Sequence, residues 1–198
     1  MARGYAGVCL MEEERFIADA MLGQLTKWLR VMGVDVKCAP WMSDSQLLRA
    51  AAEERRILLT RDRRLIQRRG PGKRLLIESD YYHEQVRQVV RTFGLEHRTH
   101  LLTRCLRCNT PLQEIGRCAA RGRVPAYVSA TQTGFKCCRS CDRVYWSGTH
   151  RDNILRQLDA IRARGGSPPT GESPSIPSRS GEERRSVEGD HANCRIDT

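Results

Sequence analysis

No stretch of this 198-residue chain approaches the roughly 18 to 20 continuous apolar residues needed to cross a bilayer, and its mean hydropathy is -0.55. A soluble protein without a membrane span is the expectation. The opening residues also lack the apolar core and small-residue cleavage site of an export signal, because Met1 to Leu10 is a short mixed run followed by Met11-Glu12-Glu13-Glu14-Arg15. A cytoplasmic location is therefore expected. Lysine is scarce as well: only Lys27, Lys37, Lys73 and Lys136 contribute to the 34 basic residues, and the rest are Arg.

Set against 23 acidic residues, that excess gives a net charge of +11 and a pI near 9.6. Arg meets phosphate through a planar two-pronged donor set that Lys cannot reproduce, so a polyanion, nucleic acid first, is the expected partner. A merely solvated Arg-rich surface is the plainer alternative. Cysteine is not lacking, but nine is an odd number. With no export signal, it favours a reducing compartment over a disulfide framework.

Composition divides the chain. Residues 165–198 hold 15 Gly, Pro or Ser and very few apolar side chains, too little to offset the entropy of ordering, so a disordered tail is expected. The tail is net acidic, which leaves about +13 on residues 1–164. Residues 1–14 read as an N-terminal extension, 15–97 as an α/β unit, and 98–164, where Cys105-x-x-Cys108 and Cys138-x-x-Cys141 have zinc-ligand spacing, as a zinc ribbon with a closing helix.

Within the α/β unit, Arg15 to Ala18 reads as a strand, and Met21, Leu22, Leu25, Trp28, Leu29 and Met32 recur at helical spacing until Gly33. Val34 to Cys38 is a second strand. Ser43 is placed as the N-cap of a helix that buries Leu47, Leu48, Ala51 and Ala52. Ile57 to Thr60 and Leu75 to Ile77 are further strands, and Val86, Val89, Val90 and Phe93 mark a helix. Alternation with short connections implies a mainly parallel, three-layer sheet.

Asp19, Asp62 and Asp80 then fall just beyond the carboxyl ends of strands, and Asp44 opens the second helix at the same edge. That edge is where open α/β sheets bind ligands. Carboxylates gathered there repel unless a divalent cation offsets them, and Mg²⁺ or Mn²⁺ prefers oxygen ligands with waters retained. Such an ion can activate water against a phosphodiester. Each acid also has an ordinary structural reading, such as a helix start for Asp44 or a salt-bridged turn for Asp62. A phosphate-accepting receiver domain is disfavoured because Ala18 and Ala20, not a second acid, flank Asp19.

The run from Phe16 to Gly33, then Asp44, then Arg56-Ile57-Leu58-Leu59-Thr60-Arg61-Asp62, and finally paired cysteines with Tyr145-Trp146-Ser147-Gly148-Thr149-His150, carries a resemblance. Over roughly residues 15–162 the chain resembles the C-terminal RNase domain family named after the Mut-seven exonucleases, a PIN-like fold with an attached zinc ribbon. The resemblance implies a metal-dependent ribonuclease, with Asp19, Asp44 and Asp62 at the family's acidic positions. Gln24 stands where the family often has a basic residue, and the run after Asp62 is unusually rich in Arg.

Cys105-Leu106-Arg107-Cys108 and Cys138-Arg139-Ser140-Cys141 form two CxxC pairs, the pattern of a structural tetrahedral zinc site. Either Cys137 or Cys138 could be the third ligand, but only Cys138 gives the two-residue spacing to Cys141. Phe135, Tyr145 and Trp146 are read as filling the thin ribbon core, with stacking on bases as the other use. Lys27, Arg30, Arg61, Arg63 and Arg64 are the candidate phosphate contacts. The expected function is an endoribonuclease-like hydrolase with a Mg²⁺ or Mn²⁺ site at Asp19, Asp44, Asp62 and Asp80 and a ribbon that supports RNA binding. The alternative is a non-catalytic RNA-binding or ribosome-associated protein.

Overall fold

The computed structural model describes residues 14–38, 40–95, 101–147 and 149–163. The expected tail and residues 1–13 of the expected extension lie outside the described residues, as do Cys9 and Cys194.

Three apolar residues, Phe16–Ala18, form β1. It lies between β2 (Val36–Cys38) and β3 (Ile57–Thr60), and β4 (Arg74–Leu76) completes a sheet of order β2-β1-β3-β4 in which every pairing is parallel. Strand alternation assigns side chains to two cores. Phe16 and Ala18 of β1, with Ile57 and Leu59 of β3, pack against Leu25 and Leu29 of α1 (Gly23–Val31) and Val86 and Val89 of α4 (Tyr82–Thr92). Ile17 and Leu58 face the other way, onto Leu47 and Ala51 of α2 (Asp44–Glu53) and Leu65 of α3 (Arg63–Gln67). Both faces of the central strands are thus covered, which is why those strands read as unbroken apolar runs. The layers are α/β/α, as the alternating pattern predicts.

Local signals place the helix ends. Ser43 Oγ accepts the Gln46 backbone N–H while the Gln46 side chain accepts the Ser43 N–H, a capping box that starts α2. Gly33, at φ 76°, takes the left-handed conformation just after α1 and ends it. The short helix α3 is not legible in the Arg-rich run, where only Leu65 is buried.

A second, antiparallel sheet has the order β5-β6-β7, from Leu112–Ile115, Phe135–Cys138 and Val144–Trp146. The stretch between β5 and β6 holds α5 (Arg117–Ala120) and α6 (Ala126–Thr131), which close a small core of Ala120, Val128 and Phe135. The closing helix α7 (Thr149–Ala163) does not belong to this ribbon core. Its Ile154, Leu158 and Ile161 join the buried cluster containing α1 and α4 residues. The apolar face of α4 needed a cover, and α7 supplies it. No helix among the described residues is long and apolar enough to cross a membrane.

Candidate active site and metal centre

Adjacent parallel strands end at one edge, and β1 and β3 therefore deliver Asp19 and Thr60 side by side. The Asp19 N–H donates to the Leu59 carbonyl at 3.0 Å, fixing the chain as it leaves the sheet. Thr60 is fully buried; its hydroxyl donates to Asp19 Oδ2 at 2.9 Å and accepts the Asp62 N–H at 3.0 Å. Asp62 in turn caps α3, its Oδ1 accepting from the Arg64 N–H at 2.7 Å and the Leu65 N–H at 3.3 Å. One buried hydroxyl thus ties both acidic segments together, a role that the sequence reading missed. Its only trace there is a hydroxyl residue closing an otherwise apolar strand.

Replacing Thr60 by Val removes that donor at nearly constant volume and is expected to cost about 1–2 kcal/mol in denaturant unfolding. Thr60→Ser is expected to recover most of the loss.

The remaining acids of this edge are engaged by arginines. Asp44 Oδ2 pairs with Arg68 Nη2 at 2.9 Å, with both side chains about half exposed. Asp80 pairs with Arg61 through Oδ1 and Nη2 and is otherwise open to solvent. Among the described residues, the group of three or more His, Cys, Asp or Glu with ligand atoms within 4.8 Å of one another is a cysteine set. The acids share an edge without meeting in one contact cluster. Asp19 and Asp62 have no ion-pair partner among the described residues, and two hard carboxylates are a donor set that suits a divalent cation retaining several waters.

Of the expected phosphate contacts, Arg63 and Arg64 are exposed beside Asp62, and Lys27 is half-buried on α1. Arg30 is corrected: it is 4% exposed, and its guanidinium donates to the Val36 carbonyl and to the Leu106 and Arg107 carbonyls, at 2.8–3.0 Å. A cation so enclosed joins the first cysteine turn to the sheet. Helical spacing alone could not reveal this, because the carbonyls it meets lie more than 70 residues away.

The cysteine set is Cys105, Cys108, Cys138 and Cys141, as the spacing predicts. Sγ separations are 3.4 Å for Cys105 and Cys108, 3.2 Å for Cys108 and Cys138, and 3.6 Å for Cys105 and Cys141. The two CxxC turns share one construction. The Asn109 N–H returns to the Cys105 carbonyl at 2.9 Å and the Asp142 N–H to the Cys138 carbonyl at 2.8 Å. Asn109 and Asp142 both take positive φ, 68° and 57°, a conformation that these residue types tolerate better than most. Cys137 is set apart by strand alternation; its Sγ accepts from Arg123 Nη2 at 3.0 Å. Burial pushes the Cys105 thiol up, but hydrogen bonds, that of the Tyr145 hydroxyl foremost, outweigh it and bring the thiol to about 6. Burial, with the neighbouring thiols, pushes Cys141 up to about 12. Four convergent thiols are positioned to hold one metal ion, and their softness suits zinc.

A polar joint connects this centre to the sheet. Asp35, just before β2, accepts from Arg56 Nη1 at 2.6 Å and from Asn109 Nδ2 at 2.7 Å, with Arg104 Nη2 at 3.6 Å. Asn109 Oδ1 also accepts the Val36 N–H at 3.1 Å, covering part of the free edge of β2. Burial pushes the Asp35 carboxyl up, yet the hydrogen bonds from Arg56 and Asn109 and the charges of Arg56 and Arg104 outweigh it and hold the carboxyl below its ordinary value. A carboxyl depressed in the folded state adds stability above the unfolded value, about 3.9, and loses it as pH falls through the folded one. Asp35→Asn is therefore expected to cost about 2 kcal/mol at neutral pH. It should also flatten the loss of stability below about pH 4, as read by urea unfolding across pH.

A parallel α/β/α sheet with acids at its carboxyl edge is joined to an antiparallel ribbon whose four thiols are positioned to hold a metal ion. The model of the Mut7-C RNAse domain matches residues 14–158, and the chain belongs to that family. No characterised protein and no solved structure gave a match. Family membership carries a nuclease-like function, with RNA as the implied substrate.

Proposed function

We propose that the chain is a metal-dependent ribonuclease of the cytoplasm, hydrolysing RNA phosphodiester bonds at the edge formed by Asp19, Asp62 and Asp44. The observation that carries this reading is the pairing of Asp19 and Asp62 through the buried Thr60 hydroxyl, within a family of RNase domains. Asp19 and Asp62 would hold Mg²⁺ or Mn²⁺, with Asp44 contributing when it leaves Arg68. An ion bound there supplies activation of water and offsets charge developing on the phosphodiester. Thr60 orients the Asp19 carboxylate and fixes the backbone at Asp62, and Arg63 and Arg64 draw the phosphate backbone to the edge without reading bases. Asp80 belongs to this edge as the partner of Arg61, holding that guanidinium beside the acids. The zinc ribbon supports RNA binding.

The ion pairs of Asp44 and Asp80 favour a second reading, a non-catalytic RNA-binding or ribosome-associated protein whose acids are structural. Incubating the purified protein with Mn²⁺ and single- or double-stranded RNA separates the two. Cleavage that needs the added ion supports the enzyme, and binding without cleavage at any ion concentration replaces it with the second reading.

A further inference from the structure

Large apolar side chains exposed to water are informative when they gather. Here Met21, Trp41 and Tyr81 are 57%, 71% and 72% exposed, and they follow β1, β2 and β4 respectively, at the edge that carries the acids. The two others among the described residues, Tyr127 at 71% and Trp146 at 39%, belong to the ribbon. Trp41, Tyr127 and Trp146 line one groove of about 2410 Å³ that runs along the edge strand β2 and across the ribbon sheet. Its lining includes Gly23 and Trp41, which stand four residues after Asp19 and three before Asp44.

The groove's charge is equally uneven. Its acids Asp35, Glu54 and Asp142 are paired with basic side chains of the same wall. Lys27, Arg107, Lys136 and Arg143 have no acid partner among the described residues, and Glu114 is the one lining acid left to oppose them. Unpaired cations interleaved with exposed aromatic rings are the features by which proteins hold single-stranded nucleic acid, phosphates on the cations and bases on the rings. A duplex keeps its base faces stacked inside and has no use for the rings.

We propose that this groove binds an unpaired RNA strand, with bases stacked on Trp41, Tyr127 and Trp146 and phosphates met by Lys27, Arg107, Lys136 and Arg143. The strand leaves the groove at Trp41 and enters the acidic edge. The choice of RNA rests on the ribonuclease reading above; the preference for an unpaired strand rests on the groove alone. Trp41 acts as the last stacking platform before the acids.

The test is fluorescence anisotropy on the full chain, without added divalent ions, using a labelled oligouridylate of about ten nucleotides and the matching RNA duplex. The single strand is expected to bind at least roughly tenfold tighter than the duplex, and Trp41→Ala and Trp146→Ala each to weaken it by roughly tenfold, one lost base stack apiece. Trp41→Phe is expected to bind nearly as wild type. Trp28 is buried at 5% exposure, so quenching of tryptophan emission by the oligonucleotide reads Trp41 and Trp146 and is expected to vanish in the double Ala variant. Unchanged melting temperature and metal content show that the variants are folded. Equal affinity for duplex and single strand, wild-type binding by folded Ala variants, or tighter binding of single-stranded DNA would each overturn the proposal. Cleavage is scored separately with Mn²⁺, so its absence beside intact, Trp-dependent RNA binding defeats the enzyme reading and leaves the groove standing.

Discussion

Asp19→Asn and Asp62→Asn are each expected to lower Mn²⁺-dependent RNA cleavage by at least about a hundredfold, a loss of several kcal/mol of charge stabilisation. The amide keeps the volume of the carboxylate but not the charge that holds a cation. Because both acids are proposed to hold one ion, the double variant is expected to be little worse than the poorer single, as for other groups that work as a unit. Asp44→Asn is expected to lose less, since its carboxylate is already shared with Arg68. RNA affinity without divalent ions is expected to hold or rise, because negative charge has left a surface facing a polyanion. Melting temperature distinguishes the structural alternative, which expects losses of stability that add from variant to variant. Variants that stay folded and cut RNA at the wild-type rate would sink the enzyme assignment.

The second large effect is expected at the four thiols. Changing Cys105, Cys108, Cys138 or Cys141 to Ser is expected to release the single bound zinc and unfold the ribbon, since structural zinc contributes roughly 10–16 kcal/mol of apparent binding energy in small domains. Elemental analysis and limited proteolysis between residues 101 and 147 read the two consequences. Damage is expected to spread, because Arg30 would lose its two carbonyls on the first cysteine turn and Asp35 its Asn109 donor. The sheet is therefore expected to melt at a lower temperature in these variants, whereas Cys137→Ser keeps the metal. Wild-type protein without near-stoichiometric zinc would refute the assignment.

Which of these features the chain advertises depends on how local their causes are. The capping box at Ser43 and Gln46, the stop at Gly33 and the apolar runs of β1 and β3 act within a few residues, and all are readable. The four cysteines positioned to hold a metal ion are readable for a related reason, since tetrahedral thiolate coordination imposes a short spacing within each pair. Cys137 and Cys138 are adjacent, so spacing favoured one and the alternation of β6 separates them. The helix α3 escaped because its one buried residue, Leu65, sits in an Arg-rich run without periodicity.

What the sequence by itself determined is the order of β1 to β4 with α1, α2 and α4, the parallel α/β/α arrangement, the four thiols and the edge on which Asp19, Asp44, Asp62 and Asp80 lie. Those follow from turn chemistry, apolar periodicity and ligand spacing, all short-range. Only the tertiary structure decided what each polar group meets: Thr60 between Asp19 and Asp62, Arg68 on Asp44, Arg61 on Asp80, and Arg30 turned inward to the cysteine turn. It also decided that α7 covers the sheet unit and that Trp41 and Trp146 line a common groove. A charged side chain carries no pattern that names its partner, because Coulomb and hydrogen-bond energies depend on distance in space and not on separation along the chain.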